Sequence, residues 1–124
     1  MRIDKPWGYE VIWAHTNNYV GKILFINKSA RLSLQHHAQK EESLYLQEGQ
    51  VIILLEDQNG TLQEHTLTPK QYLHIPSQSK HRIIAQEDSL LFEVSTPHLE
   101  DIFRHEDDYG RSDHDQTLDK THKI

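Results

Sequence analysis

The chain consists of short segments in which apolar and polar residues alternate, with turn residues between the segments. A period of two places successive side chains on opposite faces of a β-strand, so this pattern indicates strands rather than helices. In one such segment Glu42, Leu44 and Leu46 share a face. The strongest hairpin signal is Asp57-Gln58-Asn59-Gly60, because its Asn-Gly pair suits a tight turn that needs positive φ. Many short strands separated by turns at regular intervals predict an all-β sandwich or barrel.

Further segments have the composition of strands. They are Tyr9–Ala14, Tyr19–Asn27, Arg31–His37, Val51–Glu56, Leu62–Leu67, Tyr72–Ile75, His81–Gln86 and Leu90–Ser95. Only Pro97–Glu106 is compatible with a short helix. With 124 residues the chain has the length of one domain. We expect a β-domain over residues 1–111 and a polar, flexible C-terminal tail over residues 112–124.

Composition limits the classes of partner. The formal net charge is −6, which argues against nucleic acid because phosphate backbones require a basic face. There is no cysteine, so disulfide scaffolds and thiolate metal sites are excluded. No apolar run approaches the ~18 residues that span a membrane, and the N-terminal residues lack the apolar stretch of a secretory signal. We therefore expect a cytoplasmic protein with no nucleic-acid or membrane partner.

Four side chains are candidate metal ligands. Gln35 and His37 are two residues apart on a predicted strand, so they point to the same side of the sheet. Glu42 and His81 begin other strands, where an inward-facing polar group is costly to bury without a partner. One divalent cation would satisfy a carboxylate, two imidazoles and an amide oxygen, and would keep coordination positions open for catalysis. The alternative is that these are separate surface residues beside turns.

Several stretches together resemble the cupin superfamily, in which a glutamate precedes a glycine by seven residues and a proline precedes a histidine by five. Here these are Glu42 before Gly49 and Pro76 before His81. More narrowly, the chain resembles the cupin domain of type II mannose-6-phosphate isomerases. The stretches that carry this resemblance are KPWGYE at 5–10, LSLQ at 32–35, IP at 75–76, HR at 81–82, DIFR at 101–104 and EDDYGR at 106–111.

The resemblance implies a double-stranded β-helix, which is a jelly-roll-like barrel, and a homodimer. It implies one divalent metal ion, with zinc first and manganese, iron, cobalt or nickel as alternatives. Its metal ligands fall on Gln35, His37, Glu42 and His81. The implied reaction is aldose–ketose isomerisation of a sugar phosphate such as mannose 6-phosphate.

Other polar residues would then serve the reaction. The candidate phosphate or oxyanion partners are Lys40, Arg82, Arg104 and Arg111. The candidate bases are Glu93 and an unliganded histidine such as His74. Against these roles, Arg82 faces outward if it alternates with His81. Arg104 and Arg111 can equally pair with the acidic residues at 106–108 and hold the C-terminal segment.

The chain departs from the family beside the proposed ligands. Ala38-Gln39-Lys40 stands where the family has histidines followed by arginine, and lysine does not replace arginine in binding an oxyanion. Leu44 replaces an aromatic residue, and Gln78 replaces a small one. Spacing alone also leaves His36 or Gln39 as a ligand. Two other functions therefore compete: a non-catalytic metal- or sugar-binding module, and another metal-dependent cupin enzyme such as a dioxygenase or lyase.

Overall fold

A computed structural model describes residues 1–111; the predicted tail at 112–124 lies outside the described residues. The described part of the chain forms eleven β-strands and no helix. The strands are β1 Arg2–Lys5, β2 Gly8–His15, β3 Val20–Ile26, β4 Leu34–His36, β5 Glu42–Glu48, β6 Val51–Glu56, β7 Leu62–Leu67, β8 Tyr72–Ile75, β9 His81–Ala85, β10 Ser89–Ser95 and β11 Phe103–Glu106. The all-β prediction is confirmed.

The strands form two antiparallel sheets that face each other. The first sheet has the order β1-β2-β3-β10-β5-β8, and the second has the order β11-β4-β9-β6-β7. Strands distant in sequence are therefore neighbours, as where β3 pairs with β10. This crossing brings polar residues from the two halves of the chain to the same face of the first sheet.

The suggestion of a helix over Pro97–Glu106 is wrong. Residues 99 and 100 form a turn, and the chain then continues as β11. In β11, Phe103 pairs with His36 and Arg104 pairs with Gln35 of β4. Pairing along the edge of the second sheet satisfies backbone groups that a helix would have satisfied internally. This strand also carries Arg104 to the neighbourhood of the predicted ligands.

Apolar side chains fill the space between the sheets, as the alternating pattern requires. Ile26, Leu46, Val51, Ile53, Ile75 and Leu91 are fully shielded from solvent, and Trp7 is 4% exposed. Burying each large aliphatic side chain stabilises the fold by about 1.5–3 kcal/mol. Polar residues also occupy the interior, where they line a cavity together with Trp7, Leu24 and Ile83 of the core.

The hairpin predicted at Asn59-Gly60 joins β6 to β7. Gly60 has a φ of +80°, a conformation that side chains other than glycine rarely adopt. The Asp57 carboxylate accepts hydrogen bonds from the backbone N–H groups of Asn59 at 2.8 Å and Thr61 at 3.0 Å. The turn is thus stabilised by the glycine that the sequence indicated and by the Asp57 carboxylate. No helix that could cross a membrane occurs within residues 1–111.

Candidate metal centre

Three of the four predicted ligands meet inside the sandwich. His37 follows β4, Glu42 begins β5 and His81 begins β9. One ligand atom from each lies within 4.8 Å of the other two, and all three residues are buried. The Glu42 Oε1 atom is 3.1 Å from His81 Nε2 and 3.7 Å from His37 Nε2. The arrangement has the residue types and the spacing that a divalent cation requires.

The hydrogen bonds of the two imidazoles set their tautomers. His37 Nδ1 lies 2.5 Å from the backbone oxygen of Asp101, and His81 Nδ1 lies 3.0 Å from that of Ser79. A carbonyl can only accept, so each Nδ1 carries the proton and each Nε2 presents a lone pair. Both Nε2 atoms are buried and have no hydrogen-bond partner. Burial lowers the pKa of His37, which favours the neutral ring that binds metal.

These lone pairs face another acceptor, the Glu42 carboxylate. Two acceptors 3.1 Å apart in a buried site repel each other unless a positive charge lies between them. A divalent cation supplies that charge and gives each unpartnered Nε2 a bond. The two carbonyl oxygens would then be the outer-shell partners that orient metal-bound imidazoles. The donor set therefore fits a metal ion.

Gln35 lies on β4 directly opposite His81 and lines the same cavity. Its Oε1 atom accepts a hydrogen bond from the Ser33 hydroxyl at 2.6 Å. An amide oxygen has two lone pairs, so this bond leaves one for a cation. The parity argument for Gln35 and His37 is incomplete, because β4 ends at His36. Both side chains nevertheless line the cavity.

The two alternative ligands lie elsewhere. His36 stacks on Phe103, and its Nδ1 atom is 2.7 Å from Nε2 of His105. Gln39 is exposed, and its backbone N–H donates to Asp101. Neither residue is among those that line the cavity. The structure thus brings together His37, Glu42 and His81, and neither His36 nor Gln39 is part of this cluster.

Asp101 organises the loop between β4 and β5, a role that its position in the sequence does not indicate. Its carboxylate accepts the backbone N–H groups of Ala38 at 2.9 Å, Gln39 at 2.7 Å and Lys40 at 2.9 Å. Burial alone would raise the pKa of Asp101, but these three bonds outweigh it and hold the pKa below its usual value. The backbone carbonyl of Asp101 also accepts a hydrogen bond from His37 Nδ1–H. Asp101 therefore fixes both the loop and the imidazole.

Lys40 lies between two buried carboxylates. Its Nζ atom is 3.4 Å from Glu42 Oε2 and 3.2 Å from Glu93 Oε2. Burial would lower the pKa of Lys40, but the two carboxylates outweigh burial and raise it. Burial would likewise raise the pKa of Glu42, yet the Lys40 charge acts against burial, and the pKa lies well below its usual value. Glu42 is thus held ionised.

Glu93 is the second carboxylate at Lys40. Burial and the nearby Glu42 charge raise the pKa of Glu93 to about 7, against the opposing effect of Lys40. Glu93 lies on β10, directly beside Lys22 of β3 and Leu44 of β5. It lines the cavity together with the three clustered residues. Of the two candidate bases, Glu93 is therefore the one inside the cavity; His74 is exposed and pairs with Glu41.

The three arginines named from the sequence have different positions. Arg82 does not line the cavity: its Nε donates to the Leu32 carbonyl at 2.8 Å, and its guanidinium pairs with Asp108 at 3.1 Å. Arg104 and Arg111 do line it. The Arg111 guanidinium makes a two-point contact with Asp107, at 3.0 and 3.1 Å. Arg111 therefore pairs with a nearby acidic residue, as predicted, and also lines the cavity.

A buried group of three charges on the first sheet was not anticipated as part of the site. The Glu10 carboxylate forms two ion pairs. Its Oε1 atom is 3.4 Å from Lys5 Nζ, and its Oε2 atom is 3.1 Å from Lys22 Nζ. All three side chains are less than 10% exposed and line the cavity. A signal was present, since Lys22 shares an alternating face with buried Val20 and Leu24. A charge at such a position needs a partner or a function.

The cavity bounded by these groups has a volume of about 80 Å³. Five cationic side chains and three carboxylates line it, a formal excess of two positive charges. The cationic ones are Lys5, Lys22, Lys40, Arg104 and Arg111, and the acidic ones are Glu10, Glu42 and Glu93. The whole chain has a formal charge of −6. The cavity thus concentrates positive charge in an acidic protein.

The chain is similar to known proteins in structure but not in sequence. No protein-family model matches the chain, and no curated protein matches it in sequence. Among solved structures, KdgF from a Halomonas species is similar with a TM-score of 0.70 and 22% identity, over 79% of this chain and 88% of that one. An RmlC-like cupin from Shewanella frigidimarina is similar with a TM-score of 0.66 and 15% identity, over 78% and 83%.

A variant of oxalate decarboxylase from Bacillus subtilis is also similar. Its TM-score is 0.72 at 18% identity, over 85% of this chain and 30% of that one. The chain therefore corresponds to about a third of that longer protein. These neighbours include named cupins, and at such low identity they establish the architecture alone. The chain has the cupin fold, an all-β sandwich of two antiparallel sheets.

Proposed function

We propose that this protein is a metal-dependent enzyme of anionic sugars, and that its reaction is aldose–ketose isomerisation of a sugar phosphate such as mannose 6-phosphate. One observation carries the proposal. Two buried, unpartnered Nε2 atoms and the Glu42 carboxylate converge in a cavity that has an excess of positive charge. The resemblance of the stretches at 5–10, 32–35, 101–104 and 106–111 to type II mannose-6-phosphate isomerases supplies the choice of reaction.

His37, Glu42 and His81 would hold the ion, with Gln35 as fourth ligand. Two imidazoles with oxygen donors suit zinc first, and manganese, iron, cobalt or nickel next. A bound divalent ion would polarise the carbonyl or the adjacent hydroxyl of the sugar. The carbonyls of Asp101 and Ser79 would keep both imidazoles correctly oriented.

Glu93 is the residue that we propose for proton transfer. In the aldose-to-ketose direction it would take the proton from C2 and return it to C1 through an enediol. The C1 carbonyl oxygen gains a proton in the same conversion, and the C2 hydroxyl loses one, so no oxidant or reductant is needed. Lys40, 3.2 Å from Glu93, would hold the carboxylate in place and stabilise negative charge on the enediol oxygens.

Arg104 lines the cavity and remains a candidate partner for substrate oxygens. Arg82 is left out of the proposal, because it lies outside the cavity and is held by Asp108. A sugar or sugar phosphate is the proposed small-molecule partner. The homodimer and the cytoplasmic location remain predictions.

The test is conversion of mannose 6-phosphate to fructose 6-phosphate by protein that has been stripped with a chelator and reloaded with one divalent metal at a time. We expect activity to return with metal and to be lost in His81→Ala together with the metal. In Glu93→Gln we expect the metal to remain and kcat to fall at least 100-fold, the usual lower range for general-base catalysis. The exposed His15→Ala should behave as wild type.

Two outcomes would replace this proposal. Tight metal binding without turnover of any aldose or ketose phosphate would indicate a non-catalytic binding module. Oxygen consumption by the iron-loaded protein, again without isomerisation, would indicate a dioxygenase. Glu93→Gln with wild-type kcat would remove that residue from the reaction even if isomerase activity is present.

A further inference from the structure

We propose that Lys5, Lys22 and Arg111 form an anion-binding subsite that holds the acidic group of the substrate, at a distance from the metal ligands. This deepens the proposed function, on which it rests for the identity of the cavity as a substrate site. The ligand chemistry is a phosphate or carboxylate at the end of the sugar remote from its carbonyl.

The first argument is the balance of charge. Lys5 and Lys22 are both buried in the cavity wall and share the single carboxylate of Glu10. The other two carboxylates of the cavity, Glu42 and Glu93, lie within 3.4 Å of Lys40. Burying an ammonium group that lacks its own counter-ion is costly. The two lysines at this end of the cavity carry one more charge than the carboxylate that they share, and an anion would balance it.

The second argument is that a third cationic side chain, Arg111, lies close to Lys5 and Lys22. Arg111 lines the cavity with Lys5 and Lys22. Burial lowers the pKa of Lys5 to about 8, and the charges of Lys22 and Arg111 contribute to this lowering against the effect of Glu10. Two lysines that share one carboxylate, next to a third cation whose counter-ion is Asp107, form a region that favours an anion. Asp107 fixes the Arg111 guanidinium in place through its two-point contact.

The third argument is the order of the strands. Lys5, Glu10 and Lys22 lie on β1, β2 and β3, whereas Glu42 lies on β5, and β10 runs between β3 and β5. Neighbouring strands are about 4.8 Å apart, so the backbones that carry Lys22 and Glu42 are separated by about 10 Å. A ligand that bridges the two ends must have its acidic group and its carbonyl at opposite ends.

Glu93 lies on the intervening strand, directly beside Lys22. A sugar bound by its acidic group at Lys22 and by its carbonyl end at the metal ligands would pass over this carboxylate. Six-carbon sugars with a phosphate or carboxylate at C6 have this layout, and neutral sugars do not. The subsite would therefore select the charged sugar and also set its orientation for proton transfer.

The experiment measures binding by calorimetry to the metal-loaded full-length chain, so that it does not depend on turnover. The probes are mannose 6-phosphate, mannuronate and neutral mannose. In wild type we expect at least one charged sugar to bind roughly tenfold or more tightly than mannose, as charge-assisted hydrogen bonds imply. That preference should fall to within threefold in Lys22→Met and be reduced in Lys5→Met and Arg111→Met. Whichever charged probe shows the preference identifies phosphate or carboxylate as the recognised group.

The matched control is Lys28→Met, which removes the same charge from the exposed turn after β3 and should keep the full preference. Lys22→Arg keeps the charge, so it should retain most of the preference. If Lys22→Met does not fold by circular dichroism, Lys5→Met and Arg111→Met decide the question. The proposal is overturned if the charged probes bind no better than mannose. It is equally overturned if the folded variants of all three residues keep the wild-type preference.

The two proposals fail in different ways. Lysine-dependent binding of mannose 6-phosphate without conversion would support the subsite and remove the isomerase function. Conversion of mannose 6-phosphate with unchanged KM in Lys22→Met and Lys5→Met would support the isomerase and remove the subsite.

Discussion

Metal binding should stabilise this fold by an amount that depends on His81. The site holds two buried Nε2 atoms without hydrogen-bond partners beside the Glu42 carboxylate. A cation that binds only the folded chain stabilises it by about 2.7 kcal/mol when its free concentration is 100 times Kd. For a chain of this size about 1 kcal/mol raises Tm by about 4 °C. Saturating zinc should therefore raise Tm by about 10 °C.

The assay is thermal unfolding followed by circular dichroism, with zinc added to chelator-treated protein, and with metal content measured after dialysis. In His81→Ala the loss of one imidazole should reduce the shift to below about 2 °C at the same zinc concentration. His105→Ala is the matched control. It removes an exposed histidine from a second imidazole pair, that of His36 and His105, so it also reports zinc bound at the surface.

Two results would refute this reasoning. The first is a wild-type Tm that does not change with millimolar zinc, manganese, iron, cobalt or nickel. The second is a zinc-induced shift that survives in His81→Ala and disappears in His105→Ala. In the second case the exposed imidazole pair would be the metal site, and the buried cluster would be a set of neutral hydrogen-bonding groups.

Three other predictions follow from the same contacts. Lys40→Met leaves two buried carboxylates without the ammonium group between them, so we expect urea unfolding to show a loss of about 3–5 kcal/mol. Gln78 is exposed and has a φ of +68°, so Gln78→Gly should raise the free energy of unfolding by about 0.5–1 kcal/mol. Burial alone would raise the pKa of Asp107, but the bonds from Arg111 hold it below its usual value. A depressed pKa in the folded state gives stability that is present above the unfolded value near 4 and is lost as pH falls through the folded value. The acid side of the stability–pH curve should therefore be flatter in Asp107→Asn than in wild type.

Each of these has a contradicting outcome. A loss in Lys40→Met no greater than that in the exposed Lys28→Met would mean that the buried carboxylates are neutral or solvated. Destabilisation by Gln78→Gly would mean that the flexibility of glycine in the unfolded chain outweighs the relief of backbone strain. An unchanged acid dependence in Asp107→Asn would mean that the Arg111 contact does not persist in solution.

Much of the fold could be predicted because the responsible signals are local. Alternation at Glu42, Leu44 and Leu46 depends only on the geometry of a strand, and the turn at Asn59-Gly60 depends only on the φ that glycine allows. Both were predicted and both are observed. The segment 97–106 was misjudged because its strand is formed by pairing with β4, more than sixty residues earlier.

The candidate site was predictable in its residue types and less so in its geometry. His37, Glu42 and His81 were named from the sequence and lie together. The Asp101 carbonyl that orients His37 is 64 residues away along the chain, so no spacing rule could indicate it. Lys22 was visible as a charge on a buried face, but its partner Glu10 could be identified only once β2 and β3 were paired.

Local sequence patterns were enough to predict that this chain forms short β-strands and that it carries candidate ligands for a divalent metal, because strand periodicity and the donor atoms of a side chain are properties of single residues and their neighbours. The tertiary structure alone decided that β3 and β10 are adjacent, which places Lys22 beside Glu93 and gives the cavity its charged wall. It also decided that Arg82 pairs with Asp108 outside the cavity while Arg111 lines it. Pairing between distant strands depends on how the whole core packs, and local sequence patterns do not contain that information.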